Sequence, residues 1–151
     1  MKQLITKQKL PISLDEAWDF FSSPGNLEEI TPQDMKFIIK NDPPEKMYAG
    51  MIITYKVTPL FNIPLDWTTE ITHVQEPFFF IDDQRSGPFK TWHHQHHFRE
   101  IEGGVEMTDI VTYAAPFGIL GRIAEKLIVD KKVKGIFDFR HKLLEERFGT
   151  L

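Results

Sequence analysis

The stretch 117–148 at the C-terminus is the only part of the sequence long enough to form a long helix. Its second half places apolar residues at helical spacing. They are Val133, Ile136, Phe137, Leu143, Leu144 and Phe148. Arg140 lies in the middle of this stripe, where a helix that only packs against a core would carry another apolar residue. We therefore predict a long C-terminal helix that the other elements surround.

The first half of this stretch carries a second helical face, which is out of phase with the first. It consists of Leu120, Ile123, Ala124, Leu127 and Ile128. At about 100° per residue, this face points nearly opposite to the one that contains Val133 and Phe137. The sequence therefore predicts either a bend near Asp130 or a separate short helix followed by a long one that begins near Lys131.

The residues before this stretch predict seven strands and two short helices. Ser13 and Glu16 have the spacing of a capping box and predict a helix that ends near Ser23. Asn26 is expected to cap a second short helix over 27–30. The Gly103-Gly104 pair predicts a hairpin between the last two strands. The predicted strands cover 2–10, 35–41, 51–58, 65–75, 78–84, 89–101 and 105–114.

This order of elements favours an α+β fold. A chain of 151 residues is the usual length of one domain, so we expect a single domain over 1–151. An antiparallel sheet of seven strands, curled around the long C-terminal helix, accounts for the order most simply.

Composition excludes several classes of function. The sequence has no cysteine, which rules out disulfides, thiolate zinc sites and cysteine nucleophiles. Its 18 basic and 22 acidic side chains give a net charge of −4, so no nucleic-acid partner is expected. No signal peptide or transmembrane stretch is evident, which predicts a cytoplasmic protein. We expect a monomer or weak dimer, for which transient membrane contact stays open.

Three connections predicted at one end of the sheet are unusually apolar. They cover 59–64, 86–89 and 114–118, and each contains proline and phenylalanine, including Phe61 and Phe89. Loops normally run over the surface and favour polar residues. These loops are therefore expected either to form a rim over a cavity or to plug the end of the sheet as ordinary core.

Polar residues are predicted inside the sheet. Strand residues alternate between faces, so His94 and His96 share a face with Trp92, and Asp109 shares one with Tyr113. On the preceding strand, Asp82 and Gln84 align with Phe80. Together with Arg140 these side chains should point into a largely apolar interior, where a charge is costly unless it is paired.

Four interpretations of this cluster remain open at this stage. It could be a core network in which Asp109 accepts from a histidine and Arg140 pairs with Asp82. It could orient a ligand at the bottom of a pocket. His94 and His96 with a carboxylate could bind a metal, although a His-x-His pattern is a weak signal and we expect neither metal nor cofactor. Acid–base catalysis is also open, but no nucleophile motif accompanies it.

Several motifs resemble those of a known superfamily. They are Gly87-Pro88-Phe89, Trp92-x-His94-x-His96-x-Phe98, Thr108-Asp109, Tyr113-x-x-Pro116 and Ile136-Phe137-x-x-Arg140. The whole chain resembles the START-like or SRPBCC superfamily, also called Bet v 1-like, and within it an uncharacterised bacterial ligand-binding branch. This resemblance implies a helix-grip fold that encloses an apolar cavity. Relatives in the superfamily include lipid carriers, hormone receptors and polyketide cyclases.

The resemblance, taken with the polar cluster, implies a function in binding or carrying a small hydrophobic ligand such as a lipid, an isoprenoid or an aromatic polyketide. The alternative is a polyketide cyclase or dehydratase type of enzyme, with His94, His96 and Asp109 as candidate catalytic residues. The missing nucleophile motif favours binding over catalysis. The residues expected to contact the ligand are Phe61, Trp67, Asp82, Gln84, Phe89, Trp92, His94, His96, Asp109, Tyr113, Phe137 and Arg140.

Overall fold

The computed structural model describes residues 1–59, 62–116, 123 and 128–151. It confirms the predicted antiparallel sheet of seven strands, in the order β1-β7-β6-β5-β4-β3-β2. Consecutive strands from β2 to β7 are neighbours, and the last strand, β7, also pairs with the first, β1. The strands are β1 (Lys2–Leu10), β2 (Ile38–Ile39), β3 (Ile52–Val57), β4 (Leu65–Gln75), β5 (Phe79–Ser86), β6 (Thr91–Ile101) and β7 (Gly104–Ala114).

The predicted short helices after β1 are present, but the second differs in place and type. Helix α1 (Leu14–Phe21) begins as expected, since the Ser13 hydroxyl accepts a hydrogen bond from the Glu16 amide at 3.0 Å. The next helical segment is a 3₁₀ turn at Pro24–Leu27, and not a helix over 27–30. Asn26 does not cap a helix there, because its side-chain amide donates to the Phe20 carbonyl at 2.9 Å.

The second predicted strand, 35–41, is much shorter than expected. A second 3₁₀ turn, Gln33–Met35, occupies its beginning, and Lys36 then adopts a left-handed conformation with φ of 49°. Pairing with β3 is therefore limited to Ile38–Ile39. The apolar residues correctly indicated a strand in this region, but they did not reveal the turn that shortens it.

The long C-terminal helix, α2, covers Asp130–Phe148. Its start agrees with the expectation that a long helix begins near Lys131. Its buried residues are Val133, Phe137, Arg140 and Leu144, which lie on one face, as the predicted stripe requires. The opposing face built on Leu120, Ala124 and Leu127 lies outside the described residues. No helix in the described ranges is both long and apolar enough to cross a membrane.

The solid part of the core lies where α1 packs against the sheet. The Trp18 ring contacts Phe80 and Phe98 edge to face, with centroid distances of 5.8 and 5.9 Å. Leu144, which is fully buried near the end of α2, belongs to the same cluster. Side chains fill the space near α1 and the end of α2. A cavity lies instead between the beginning of α2 and the other half of the sheet.

Gly104, at the start of β7, gives a test of how closely β1 and β7 approach. A Cβ atom on Gly104 would lie 2.0 Å from the carbonyl oxygen of Leu10, which is backbone and cannot rotate away. We expect Gly104→Ala to lower the free energy of unfolding by at least about 1–3 kcal/mol, the usual range for overpacking. Urea denaturation measures this loss.

The matched control is the same change at Gly135, on the exposed face of α2. A Cβ there meets no atom within 4 Å, so Gly135→Ala is expected to raise the free energy of unfolding by about 0.4–1 kcal/mol. Equal effects of the two changes would show that the close approach at Gly104 does not constrain the fold.

Candidate functional site

A cavity of about 610 Å³ lies between the sheet and α2. Its walls are mostly apolar, and they include alternate residues of neighbouring strands. The contributions of β3 and β4 are Ile53, Tyr55, Val57, Leu65, Trp67, Thr69 and Ile71. Only Trp67 among these seven was predicted as a site residue. The two-residue alternation of strand faces would have found the other six, had it been applied to β3 and β4.

All three apolar loops reach the cavity. Its lining includes Pro59 and Ile63 from the first loop, Pro88 and Phe89 from the second, and Ala115 and Pro116 from the third. Phe61, which was predicted to contact the ligand, lies outside the described residues. Ile63 lines the cavity and is also 54% exposed, so this residue contacts both the cavity and the solvent.

Aromatic side chains crowd the part of the cavity near these loops. The rings of Trp67, Phe89 and Trp92 lie 4.9–5.6 Å apart, and Tyr55 stacks on Trp67 at 5.6 Å. The indole N–H of Trp67 is buried and finds no acceptor among the described residues. This aromatic wall, Tyr55, Trp67, Phe89 and Trp92, therefore presents flat apolar rings to the cavity.

Gln84 and Tyr113, two predicted ligand contacts, do not line the cavity. The Gln84 amide donates to the Phe89 carbonyl at 2.6 Å, and its oxygen accepts from the Phe89 amide at 3.0 Å. Both groups of Gln84 thus hold the second loop in place. The Tyr113 hydroxyl donates to Asp130 at 2.7 Å and so connects β7 to the start of α2.

Two histidines and two aspartates form a polar cluster at the deep end of the cavity, where Asp82, His94 and His96 line the wall and Asp109 lies behind them. Cross-strand pairing sets their arrangement, because Asp82 lies opposite His94 on the β5–β6 pair and His96 lies opposite Asp109 on the β6–β7 pair. His94 Nε2 lies 2.8 Å from Asp109 Oδ1, and His96 Nε2 lies 2.6 Å from Asp82 Oδ2. The two imidazoles stack with centroids 3.6 Å apart.

Arg140 approaches this cluster from α2. Its Nη1 lies 3.7 Å from Asp109 Oδ1, so its ion pair is with Asp109. The pairing with Asp82 that the sequence analysis considered is not formed. The Nε of Arg140 is buried and has no partner within the described chain. The guanidinium carbon lies 5.4 Å from the Phe21 ring and 5.8 Å from the Phe137 ring, where cation–π attraction stabilises it.

The environment shifts the protonation of the two carboxyls in opposite directions. Burial raises the pKa of Asp82 to about 6, against the attraction of His94 and Arg140. Burial also acts on Asp109, but Arg140 and His94 outweigh it and hold the pKa of Asp109 well below its usual range. Burial lowers the pKa of His96 well below its ordinary value, so His96 is neutral.

The structure therefore divides the predicted site residues into three groups. Those that line the cavity are Trp67, Asp82, Phe89, Trp92, His94, His96, Phe137 and Arg140. Gln84, Asp109 and Tyr113 lie behind the wall, and of these Asp109 contacts both His94 and Arg140. Phe61 cannot be placed, because it lies outside the described residues.

A sheet of this topology that wraps a long C-terminal helix and encloses a cavity is the Bet v 1-like helix-grip fold. No protein-family model matches the sequence, and no curated protein is significantly similar to it. Similar solved structures exist, however, and they cover nearly the whole chain.

The protein TTHA0849 from Thermus thermophilus has a TM-score of 0.75 at 16% identity, over 97% of this chain and 96% of its own. The ginseng major latex-like protein 151 from Panax ginseng has a TM-score of 0.69 at 14% identity, over 97% of both chains. The protein Ms6760 from Mycobacterium smegmatis has a TM-score of 0.67 at 20% identity, over 96% of this chain and 92% of its own. These similarities support the helix-grip fold that the motifs indicated.

Proposed function

We propose that this protein binds or carries a small hydrophobic molecule in the cavity between the sheet and α2. The observation that supports this most is the cavity itself, about 610 Å³ in volume and lined mostly by apolar side chains. Ligand sites usually have about 300–1,000 Å³ and a few polar groups within an apolar lining. In this proposal, residues 1–151 form one domain of the bacterial ligand-binding branch of the START-like superfamily.

The lining suggests how such a ligand lies. The aromatic wall near the loops suits the flat or apolar body of a lipid, an isoprenoid or an aromatic polyketide. At the deep end, Arg140 Nε is buried without a hydrogen-bond partner in the described chain, whereas His96 Nδ1 lies 3.5 Å from Asp109 Oδ1. Buried polar atoms are usually hydrogen-bonded, so Arg140 Nε is suited to one polar group of the ligand.

Native mass spectrometry of gently purified protein tests the proposal directly. We expect the intact protein to carry a noncovalent small molecule that is lost on denaturation, and its mass identifies the ligand class. We also expect a cytoplasmic protein that is a monomer or weak dimer and meets membranes only transiently. Protein that carries no such molecule and binds no hydrophobic probe would contradict the proposal.

A variant that fills the cavity gives a second test. Ile136 lines the cavity from α2, so Ile136→Trp is expected to weaken binding of the uncharged fluorescent probe N-phenyl-1-naphthylamine by at least about tenfold, or 1.4 kcal/mol. The control is Ile52→Trp, the same change at a residue of β3 that is 42% exposed. Probe titration followed by fluorescence measures both affinities. Equal affinities for the two variants would place the probe elsewhere.

A cyclase or dehydratase type of enzyme is the second candidate. The contact of 2.8 Å between His94 Nε2 and Asp109 Oδ1 favours it, because a carboxylate that orients an imidazole is a usual part of acid–base sites. His94→Gln separates the two candidates, through the small molecules recovered from each protein. A carrier returns the same molecule from wild type and variant, whereas an enzyme leaves an unreacted precursor in the variant.

A further inference from the structure

We propose that Asp82, His94 and His96 bind a divalent transition-metal ion at the deep end of the cavity. This site goes beyond the proposed carriage of a hydrophobic ligand and does not depend on it. The sequence predicted no metal, because a His-x-His pattern is a weak signal. The structure adds a third candidate ligand, Asp82 on the neighbouring strand β5, because it shows that Asp82 lies opposite His94.

The three side chains converge on one region of the cavity wall. Each offers one ligand atom, and these atoms lie within 4.8 Å of one another. Asp82 Oδ2 lies 2.6 Å from His96 Nε2 and 3.8 Å from His94 Nδ1, so it is near a nitrogen of each ring. An ion with ligand bonds of about 2.0–2.2 Å would replace the direct contact between Asp82 and His96. Two histidines and one carboxylate are a common donor set for Zn²⁺ and Fe²⁺.

Asp109 supplies the outer support that metal-bound histidines usually have. A metal-ligating histidine typically donates its other N–H to a carboxylate, which fixes the tautomer and the ring orientation. His94 Nε2 lies 2.8 Å from Asp109 Oδ1, so Nε2 is the nitrogen that contacts the outer carboxylate and Nδ1 is the one left for the ion. That Nδ1 is the atom that faces Asp82. An acid–base pair of one histidine and one carboxylate would leave His96 without a role, whereas a metal site uses both His94 and His96.

The charges around the site permit a cation. The charged groups that face the histidines are Asp82 on β5, Asp109 on β7 and Arg140 on α2. Arg140 lies against Asp109, at 3.7 Å, and is thereby balanced by the carboxylate that is not a ligand. Asp82 remains as the carboxylate for the ion, and each imidazole offers one nitrogen beside it. Three protein ligands leave further coordination positions open toward the cavity.

The test uses untagged full-length protein, stripped with a chelator and titrated with Co²⁺. We expect one equivalent to produce a visible d–d absorption band, and Zn²⁺ to displace it and raise the melting temperature. Asp82→Asn and His94→Gln are nearly isosteric and should each abolish the band while the circular dichroism spectrum stays native. Asp109→Asn should weaken Co²⁺ binding by about 10–100-fold, as expected for a lost outer carboxylate.

The control is His93→Gln. His93 faces the other side of β6 and contacts Asp83 at 2.6 Å, in a pair whose side chains are 36% and 34% exposed. We expect this variant to keep the band and the Zn²⁺ shift. The proposal is overturned if stripped wild-type protein gives no band and no shift, if Asp82→Asn retains both, or if His93→Gln loses them to the same extent. The metal content of all four variants is measured after any hydrophobic ligand has been removed. The result therefore tests metal binding alone and does not depend on the proposed carriage of a ligand.

Discussion

Asp109→Asn is expected to lower the free energy of unfolding by about 3–5 kcal/mol, the range for breaking a buried ion pair from one side. Asp109 is 7% exposed and contacts both His94 and Arg140. Its replacement by a neutral amide of the same shape removes no packing. It leaves the Arg140 guanidinium in the interior with no carboxylate within 4 Å in the described chain, and that uncompensated charge is the source of the cost.

Denaturation in urea, with circular dichroism as the signal, measures this loss. Glu106→Gln is the matched control, because Glu106 lies on the same strand and contacts Arg99 at 2.8 Å, where the Arg99 and Glu106 side chains are 70% and 13% exposed. Water screens the exposed arginine, so this pair contributes little and the control should stay close to wild type. If both variants lose the same free energy of unfolding, the ion pair between Asp109 and Arg140 does not stabilise the interior, and the prediction is wrong.

Strand alternation was enough to locate the interior of the sheet from the sequence. The period of two put His94, His96 and Phe98 on the inner face of β6, and Asp109 with Tyr113 on that of β7, as the structure shows. These strands are long and antiparallel, and a hairpin links them, so one correct parity fixes the faces of all their residues. The fold class followed from the order of such elements.

The contacts between elements could not be predicted in this way. Arg140 was correctly placed among buried residues of the helix, but its partner depends on how α2 lies across the sheet, which no local pattern encodes. Gln84 has the same parity as Phe80, yet its side chain turns to the backbone of Phe89. The pairing of β4 with β5 shifts register near Thr69, next to the position of Gln84, and such irregularities interrupt the alternation.

Arg140→Met is the second change with a large expected effect on stability. We expect it, too, to lower the free energy of unfolding by about 3–5 kcal/mol, because Asp109 would keep its charge without the arginine that pairs with it. Methionine fills a similar volume between Phe21 and Phe137, so loss of packing contributes little.

The double variant Asp109→Asn/Arg140→Met distinguishes the ion pair from two separate roles. If the pair is the cause, the double variant should be clearly more stable than the sum of the two single losses predicts, since no unpaired charge remains. Strict additivity would contradict the pairing.

The unpaired Nε of Arg140 adds an expectation for binding. Arg140→Met should weaken binding of cis-parinaric acid, a fluorescent fatty acid, by about 1.5–3 kcal/mol, the range for a hydrogen bond to a charged group. The uncharged probe N-phenyl-1-naphthylamine should bind nearly as before, because it has no carboxylate for Arg140. Unchanged affinity for both probes in a destabilised variant would assign Arg140 to the architecture of the fold alone. A variant with wild-type stability and weakened binding of the fatty acid would instead make ligand recognition its whole role.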